Sequence, residues 1–251
     1  MRFLFKNEKR AAVAREPIHS DVPPLNQAQI AAVYYGERMG GDFSDFIRVA
    51  PNRMVFGLLD IAGRLEDNRE ILGAAQHAFR EFAPRLLAGD DVNQADAMAE
   101  LSLQLNRAIL DAQAGVRSCP AFAGCYNEDV GTVCYFNAGH TPGLLRHGDG
   151  VQELRATGLP LGLFAASTYE APTVFVAPGS SLLLVSRGVV EARRKREEFG
   201  LQRVKQHFAN VPLEHANVVA ASMLDAVRQH LGAAHAGNDL TTLALVRAAK
   251  K

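Results

Sequence analysis

The feature that most constrains the fold is the stretch 40–63, in which two β-prone runs flank a turn signal. GGDFSDFIRV (40–49) alternates in side-chain type after its glycine pair, and MVFGLLDIAG (54–63) is nearly continuous in apolar residues. The sequence PNR (51–53) between them predicts the turn of a β-hairpin. A continuous apolar strand is typical of a sheet covered on both faces, so this hairpin requires further layers on each side.

The rest of the chain supplies those layers. Amphipathic patterns predict helices over 66–87, 93–112, 201–209 and 213–231. Apolar and β-branched runs predict strands in PAFAGCYN, VCYFNAG and PGLLRH and over 173–177, 181–186 and 239–247. The stretch 25–39 begins with a helical pattern and then turns aromatic and β-prone. Hairpins with pairs of helices inserted between them favour an α+β layered fold over a doubly wound parallel sheet.

Length and charge predict one domain with no attraction to polyanions. The 251 residues suit a single large domain, expected over 25–251, and the mixed stretch 1–24 is expected to be a flexible arm. The formal net charge is zero, which argues against a nucleic-acid partner or an anionic membrane surface. The basic run RRKRE (193–197) is short, and we interpret it as a solvated loop or helix end.

The cysteines and the hydropathy pattern indicate a cellular compartment. Cys119, Cys125 and Cys134 have spacings that fit neither a zinc motif nor a redox pair. A low, odd number of cysteines favours a reducing environment. No stretch approaches the roughly 18 apolar residues of a membrane span. We therefore expect a cytoplasmic protein without a membrane span.

Aspartates at strand ends are candidate metal ligands. Asp42 lies near the start of the first predicted hairpin strand and Asp60 near the end of the second, and such ends lie side by side in an antiparallel pair. Asp239 precedes the last predicted strand. Grouped carboxylates suit Mg²⁺ or Mn²⁺, and two such ions can share a hydroxide that attacks a phosphoryl group. Position alone leaves the alternative open, because Asp at a strand end often only forms a turn.

Six stretches of the chain form a recognisable series. In chain order they are GGDFSDF (40–46), LLDIAG (58–63), FNAGHTPGLL (136–145), ATGLPLGL (156–163), PGSSLLLVSRGVVEA (178–192) and NDLTTLALVR (238–247). Together they resemble the PPM-type (PP2C-like) serine/threonine phosphatases, in the branch of the bacterial SpoIIE and RsbU regulators. The resemblance implies a four-layer αββα sandwich of two antiparallel sheets, with a two-metal site at one edge. It also implies hydrolysis of phosphoserine or phosphothreonine on a regulatory phosphoprotein, such as an anti-sigma-factor antagonist.

Three positions depart from the pattern of the family. Where the family has GDVSGHG this chain has LDIAGRL, so Arg64 replaces the expected His. Where the family has TDGVTEA the chain has SRGVVEA, so Arg187 replaces a metal-binding Asp. In the family's DD(I/L)T pattern the first Asp, the usual ligand, has become Asn238.

The resemblance then leaves Asp42 and Asp60 as catalytic and metal-binding candidates, with the Ile61 carbonyl and Asp239 as further metal ligands. A guanidinium is always protonated, and two unit charges about 4 Å apart interact by about 4 kcal/mol at an effective dielectric near 20. A divalent ion beside Arg187 would feel about twice that energy as repulsion. We therefore expect at most one tightly bound Mg²⁺ or Mn²⁺ and weak or absent hydrolysis.

Three roles remain open for Arg187. It could fill the family's metal position and form an ion pair with Asp60 or Asp42. It could instead bind a phosphate or phosphoserine, because a guanidinium matches phosphate bidentately. Asn238 and Arg64 are further candidates for such contacts, and the domain would then recognise a phosphoprotein without hydrolysing it. A third possibility is a working enzyme with one metal ion or rearranged ligands.

The NAGH stretch is expected to be architectural. Asn137, Gly139 and His140 lie between two predicted strands, where side-chain to backbone hydrogen bonds commonly hold a turn. A His near a phosphate could also be a general acid. We favour the structural role.

Overall fold

The computed structural model describes residues 22–35, 41–63, 65–112, 117–148 and 150–249. Within these ranges the chain forms two five-stranded antiparallel sheets and one two-stranded ribbon. The sheets pack face to face, and helices cover both outer faces. The predicted four-layer αββα sandwich is confirmed.

Each sheet combines strands from distant parts of the chain. The first has the spatial order β1 (Ala28–Tyr35), β12 (Leu240–Arg247), β9 (Ser181–Val185), β6 (Gly143–His147) and β7 (Gly150–Leu154). The second has the order β2 (Gly41–Ala50), β3 (Arg53–Ile61), β4 (Ala121–Asn127), β5 (Thr132–Ala138) and β8 (Thr173–Phe175). The ribbon pairs β10 (Arg193–Arg194) with β11 (Glu197–Glu198).

Two pairs of helices form the outer layers. Helices α1 (Leu65–Leu87) and α2 (Gln94–Ala112) pack on the second sheet, as predicted for this pair. Helices α4 (Gly200–Asn210) and α5 (Ala216–Leu231) cover the first sheet. A short helix, α3 (Arg187–Glu191), follows β9 directly. None of the helices in the described ranges combines the length and apolar character needed to span a bilayer.

Strand β3 shows why its sequence is continuously apolar. Met54, Phe56 and Leu58 face the other sheet and belong to the core between the sheets. Val55 and Leu59 point the opposite way, into the core beneath α1 and α2. Because both faces are buried, neither side-chain set can be polar, as the sequence pattern predicts.

The interpretation of 25–39 as initially helical was wrong. Residues 28–35 form β1, which pairs along its whole length with β12, from Ala28 opposite Arg247 to Tyr35 opposite Leu240. Pairing with a buried strand from the other end of the chain outweighs the local helical pattern. Residues 1–21 lie outside the described residues, so the flexible arm stays a prediction.

A buried carboxylate ties α1 to β2. Asp45 is 2% exposed, and its oxygens accept hydrogen bonds from Arg80 Nε at 2.8 Å and Arg80 Nη2 at 3.2 Å. Gln76 Nε2 at 3.2 Å and the backbone N–H of Phe46 at 2.8 Å add two more bonds. A buried charge needs this degree of pairing to be tolerated. The network fixes α1 over the strand that carries Asp42.

Removing the arginine of this network tests its contribution. We expect Arg80→Ala to lower the free energy of unfolding by about 2 to 3 kcal/mol, because it leaves the Asp45 carboxylate buried without its cation. The control is Arg85→Ala on the same helix, which breaks an exposed pair with Glu81 and should cost less than about 0.5 kcal/mol. Urea denaturation measures both. Equal, small losses would contradict the role of the Asp45 network.

Candidate functional site

The strand register brings the two predicted aspartates together. In the β2–β3 pair, Asp42 is directly opposite Asp60, and Gly41 is opposite Ile61. A Cβ added to Gly41 would lie 2.6 Å from the Ile61 carbonyl oxygen, so only glycine permits this close approach. The expected juxtaposition of the carboxylates is therefore present at the edge where both strands end.

Two hydrogen bonds to these carboxylates cross between the sheets. Thr241 Oγ1, on β12, donates to Asp42 Oδ2 at 2.7 Å. The backbone N–H of Arg187, which follows β9, donates to Asp60 Oδ2 at 2.5 Å. Ser186 Oγ accepts the N–H of Thr241 at 3.1 Å and so connects the two donors. Sequence reasoning missed Thr241 and Ser186, although each is within two residues of a motif position it had singled out.

The Arg187 side chain lies beside Asp60. Its Nη2 is 3.9 Å from Asp60 Oδ1, and its Nε is 3.7 Å from Glu191 Oε2 in the next turn of α3. The side chain is 40% exposed, yet Nε is buried and has no hydrogen-bond partner among the described residues. The guanidinium is thus within ion-pairing distance of Asp60, as expected. Its Nε atom has no hydrogen bond within the described part of the chain.

Asp239 accepts a hydrogen bond from a residue outside the Asp42–Asp60 pair. Its side chain is 4% exposed, and its Oδ1 accepts a hydrogen bond from Tyr34 Oη at 2.6 Å. Asn238 is exposed at the same strand end. Sequence reasoning missed Tyr34 as a partner of Asp239, because it did not pair the β-prone end of 25–39 with the last strand. Arg64 lies outside the described residues, so its predicted phosphate contact is a prediction only.

These contacts do not fit a pair of divalent ions. Within the described ranges, no three or more His, Cys, Asp or Glu side chains converge closely enough to hold a metal ion. One oxygen of Asp60 accepts the Arg187 N–H, and the other is near a permanent cation. Asp42 and Asp60 remain as a pair of facing carboxylates.

The pKa of Asp42 is raised by its surroundings. Burial raises the pKa of its carboxyl well above the usual value, and the negative charge of Asp60 raises it further. Hydrogen bonds from Ser186 and Thr241 oppose the rise, and Asp239 adds a smaller contribution in the raising direction. Two carboxylates at this spacing do not both ionise easily without a cation.

The NAGH stretch holds a turn, as expected. Asn137 Oδ1 accepts the backbone N–H of His140 at 2.8 Å, and Asn137 Nδ2 donates to the Leu154 carbonyl at 3.2 Å. Gly139 has φ +66°, and a Cβ there would lie 2.5 Å from Pro160 Cγ. Burial lowers the pKa of His140, against the opposing effects of Asp60 and of a hydrogen bond to the Thr141 backbone. The ring is therefore held in a neutral, enclosed position.

This fold and edge site define the class of PP2C-like phosphatase domains. The family model "Stage II sporulation protein E (SpoIIE)" matches residues 50–248, well over half of the chain. The chain therefore belongs to the SpoIIE family.

Solved structures share this fold. The RsbU and RsbW domains of Rv1364c from Mycobacterium tuberculosis give a TM-score of 0.74 at 23% identity, over 92% of this chain and 62% of that one. The SiaA-PP2C domain of Pseudomonas aeruginosa gives 0.74 at 17% identity, over 87% and 85%. RsbX in complex with magnesium gives 0.64 at 13% identity, over 91% and 99%. At these identities the likeness establishes the fold.

A curated relative extends beyond the matched region. Protein IcfG of Synechocystis is 24% identical over 266 aligned residues, which cover 96% of this chain. The chain spans 41% of the length of that protein.

The raised pKa of Asp42 predicts a pH-dependent stability. Because the folded state binds the Asp42 proton more tightly than the unfolded state, stability falls as pH rises above the unfolded pKa near 4. Asp42→Asn abolishes this titration, so its stability relative to wild type should increase from about pH 4 towards pH 8. Chemical denaturation in the presence of EDTA measures the difference. The exposed Asp90→Asn is the control and should show none; a pH-independent difference for Asp42→Asn would contradict the argument.

Proposed function

We propose that this chain is a regulatory, phosphoprotein-directed domain whose metal-dependent hydrolysis of phosphoserine or phosphothreonine is weak or absent. The observation that carries the proposal is the contact of Arg187 with Asp60, through the backbone N–H at 2.5 Å and the guanidinium at 3.9 Å. A permanent positive charge at this point competes directly with a divalent ion for the same carboxylate. The phosphoprotein would be a regulatory protein of the anti-sigma-factor antagonist type.

We propose that the site binds at most one divalent metal ion. Asp42 and Asp60, with the nearby Ile61 carbonyl, supply oxygen donors of the kind Mg²⁺ and Mn²⁺ prefer. Asp239 accepts a hydrogen bond from Tyr34 at Oδ1 and could join them with that bond kept, because a carboxylate has two oxygens. The proximity of Arg187 would weaken any ion held there, because the repulsion adds to the loss of an anionic ligand. We derive no hydrolytic step through such an ion.

A second function is favoured by the unsatisfied Nε of Arg187. A buried donor without a partner is costly, and an incoming phosphate oxygen would satisfy it. The partly exposed guanidinium and the exposed amide of Asn238 lie towards the same edge of the sandwich. In this version the domain binds a phosphoserine without cleaving it, and Arg64 is a further candidate for the contact.

We also propose that residues 25–251 form one domain with an arm at 1–24, acting in the cytoplasm. The three cysteines are buried free thiols, which is in keeping with a reducing compartment.

A double-mutant cycle tests the proposed metal defect. Wild type should bind Mn²⁺ weakly and hydrolyse p-nitrophenyl phosphate or a phosphoserine peptide very poorly. Arg187→Asp together with Asn238→Asp should strengthen Mn²⁺ binding at least tenfold, because the charge at the site changes by three units. Each single change should give less than its share, since both new carboxylates would ligate one ion. Calorimetry and a phosphatase assay on the four proteins measure this.

The result that contradicts the proposal is clear. Robust Mn²⁺-dependent turnover in wild type that is lost in Arg187→Asp would identify the arginine as a catalytic group. A matched control is Arg85→Asp, an exposed arginine on α1, which should leave Mn²⁺ binding unchanged.

A further inference from the structure

The basic run after α3 is a hairpin and not the loop or helix end expected from its sequence. Arg193 pairs with Glu198 and Arg194 with Glu197 in the β10–β11 ribbon, so Lys195 and Arg196 form a two-residue turn. All six residues are exposed. A two-residue hairpin of this kind projects its turn side chains into solvent.

Ion pairs neutralise the base of this hairpin. The Arg193 guanidinium contacts the Glu198 carboxylate, and the Arg203 guanidinium from α4 contacts the Glu197 carboxylate. Arg203 Nη1 also donates to the Glu198 carbonyl at 2.7 Å. Both hairpin glutamates are thereby already paired with cations.

The tip of the hairpin is left with positive charge. Arg194, Lys195 and Arg196 have no ion pair with any described residue. Three adjacent cations therefore stand together in solvent on a chain whose formal net charge is zero. We call these three residues the basic tip.

The backbone of the basic tip is strained. Lys195 has φ +58°, and it is the one non-glycine residue with positive φ in the described part of the chain. At the first turn position of a two-residue hairpin, positive φ favours Gly or Asn over a residue with a long side chain. The sequence places a lysine there against the local conformational preference, which is the pattern expected where function requires the side chain.

The hairpin is anchored beside a cleft that leads to the candidate site. His230 Nε2, in the last turn of α5, is 3.2 Å from the Glu197 carbonyl oxygen, and the His230 ring packs edge-on against Phe199 at 5.6 Å. A Cβ added to Gly232 would lie 4.0 Å from Arg194 Cζ. Gly232 also lines a cleft of about 840 Å³ that reaches Asp239 at the candidate site.

The walls of this cleft mix polar and apolar groups, and their charged side chains include one arginine, Arg228, and two carboxylates, Asp225 and Asp239. Arg228 stacks over the Tyr35 ring at 4.9 Å and pairs with Asp225 at 3.4 Å. Asn238 lines the inner end, next to Asp239. The excess positive charge therefore lies at the outer end, on the basic tip.

From this arrangement we infer that the basic tip and the cleft form a docking surface for an acidic segment of a partner protein. The acidic side chains contact Arg194, Lys195 and Arg196, and the segment runs along the cleft towards the candidate site. The inference rests on the proposed phosphoprotein-directed function and adds the chemistry of the sequence that flanks the phosphorylated residue.

A peptide fits this surface better than a nucleic acid or a membrane. Sequence-independent binding to nucleic acid rests on neutralising many phosphates with Lys and Arg, and the basic tip supplies three cations. Glu197 and Glu198 follow those cations and are already paired with arginines, so the basic tip does not continue into a longer basic track. A short peptide can place a few carboxylates on the tip and leave the glutamates uncovered.

Fluorescence anisotropy with defined peptides tests the docking surface. The probe is a fluorescein-labelled dodecapeptide with six glutamates and one phosphoserine, compared with a peptide in which glutamines replace the glutamates. We expect wild type to prefer the glutamate peptide about tenfold at low salt, and the preference to shrink as salt is raised. Lys195→Glu with Arg196→Glu should abolish the preference. Arg85→Glu with Arg107→Glu, an equal charge change on the opposite helical layer, should preserve it.

A second variant separates charge from folding. Lys195→Gly removes one cation and relieves the positive φ, so its melting temperature should equal or exceed that of wild type while its preference for the glutamate peptide falls several-fold. Unchanged preference in this well-folded variant would overturn the inference.

Results with the control variant and with other polyanions also test the docking inference. An equal loss in the Arg85/Arg107 variant, or tighter binding of duplex DNA or phosphatidylserine vesicles than of the glutamate peptide, would overturn it. Replacing phosphoserine by serine in the probe distinguishes this inference from the proposed function. A glutamate preference that persists without any effect of the phosphate supports docking and contradicts phosphoprotein recognition at the site.

Discussion

Two hydrogen bonds to carboxylates fix how the two sheets meet at the functional edge. The apolar core between the sheets drives their association but has no directional preference. The bonds from Thr241 to Asp42 and from the Arg187 N–H to Asp60 are directional, and each joins one sheet to the other. The same carboxylates therefore determine both the alignment of the sandwich and the chemistry of its edge.

Charge balance at that edge explains much of its geometry. Asp42 and Asp60 oppose each other in register, and such a pair needs a cation, a proton or strong donors to be tolerated. In this chain the guanidinium and the N–H of Arg187 contact Asp60. Thr241 and Ser186 hydrogen-bond to Asp42 and lower its pKa, but burial and Asp60 keep that pKa above the usual value. Under the proposed function, a metal ion and Arg187 would compete for Asp60.

Much of the fold could be predicted because two of its strand pairs, β2–β3 and β4–β5, are local hairpins. The 40–63 hairpin needs no information beyond its own alternation, its turn and its apolar run, and the Asp42–Asp60 contact follows from that pairing. β1 was missed because its strand character comes from β12, more than 200 residues later. Tyr34 was missed as a partner of Asp239 for the same reason. The basic hairpin was missed because its turn has Lys195, with positive φ, where Gly or Asn normally indicates a two-residue hairpin.

The turn that carries Arg187 has a consequence for how the site could be altered. A Cβ on Gly188 would lie 2.0 Å from the Asp239 carbonyl oxygen, so the backbone here packs directly on the start of β12 and requires glycine. The N–H of residue 187 reaches Asp60 whatever side chain it carries. The backbone at position 187 is therefore fixed independently of the side chain. A cation, a carboxylate or a neutral group at this position would leave the Cα in the same direction. Exchange at position 187 would therefore change the charge of the site without rebuilding the chain around it.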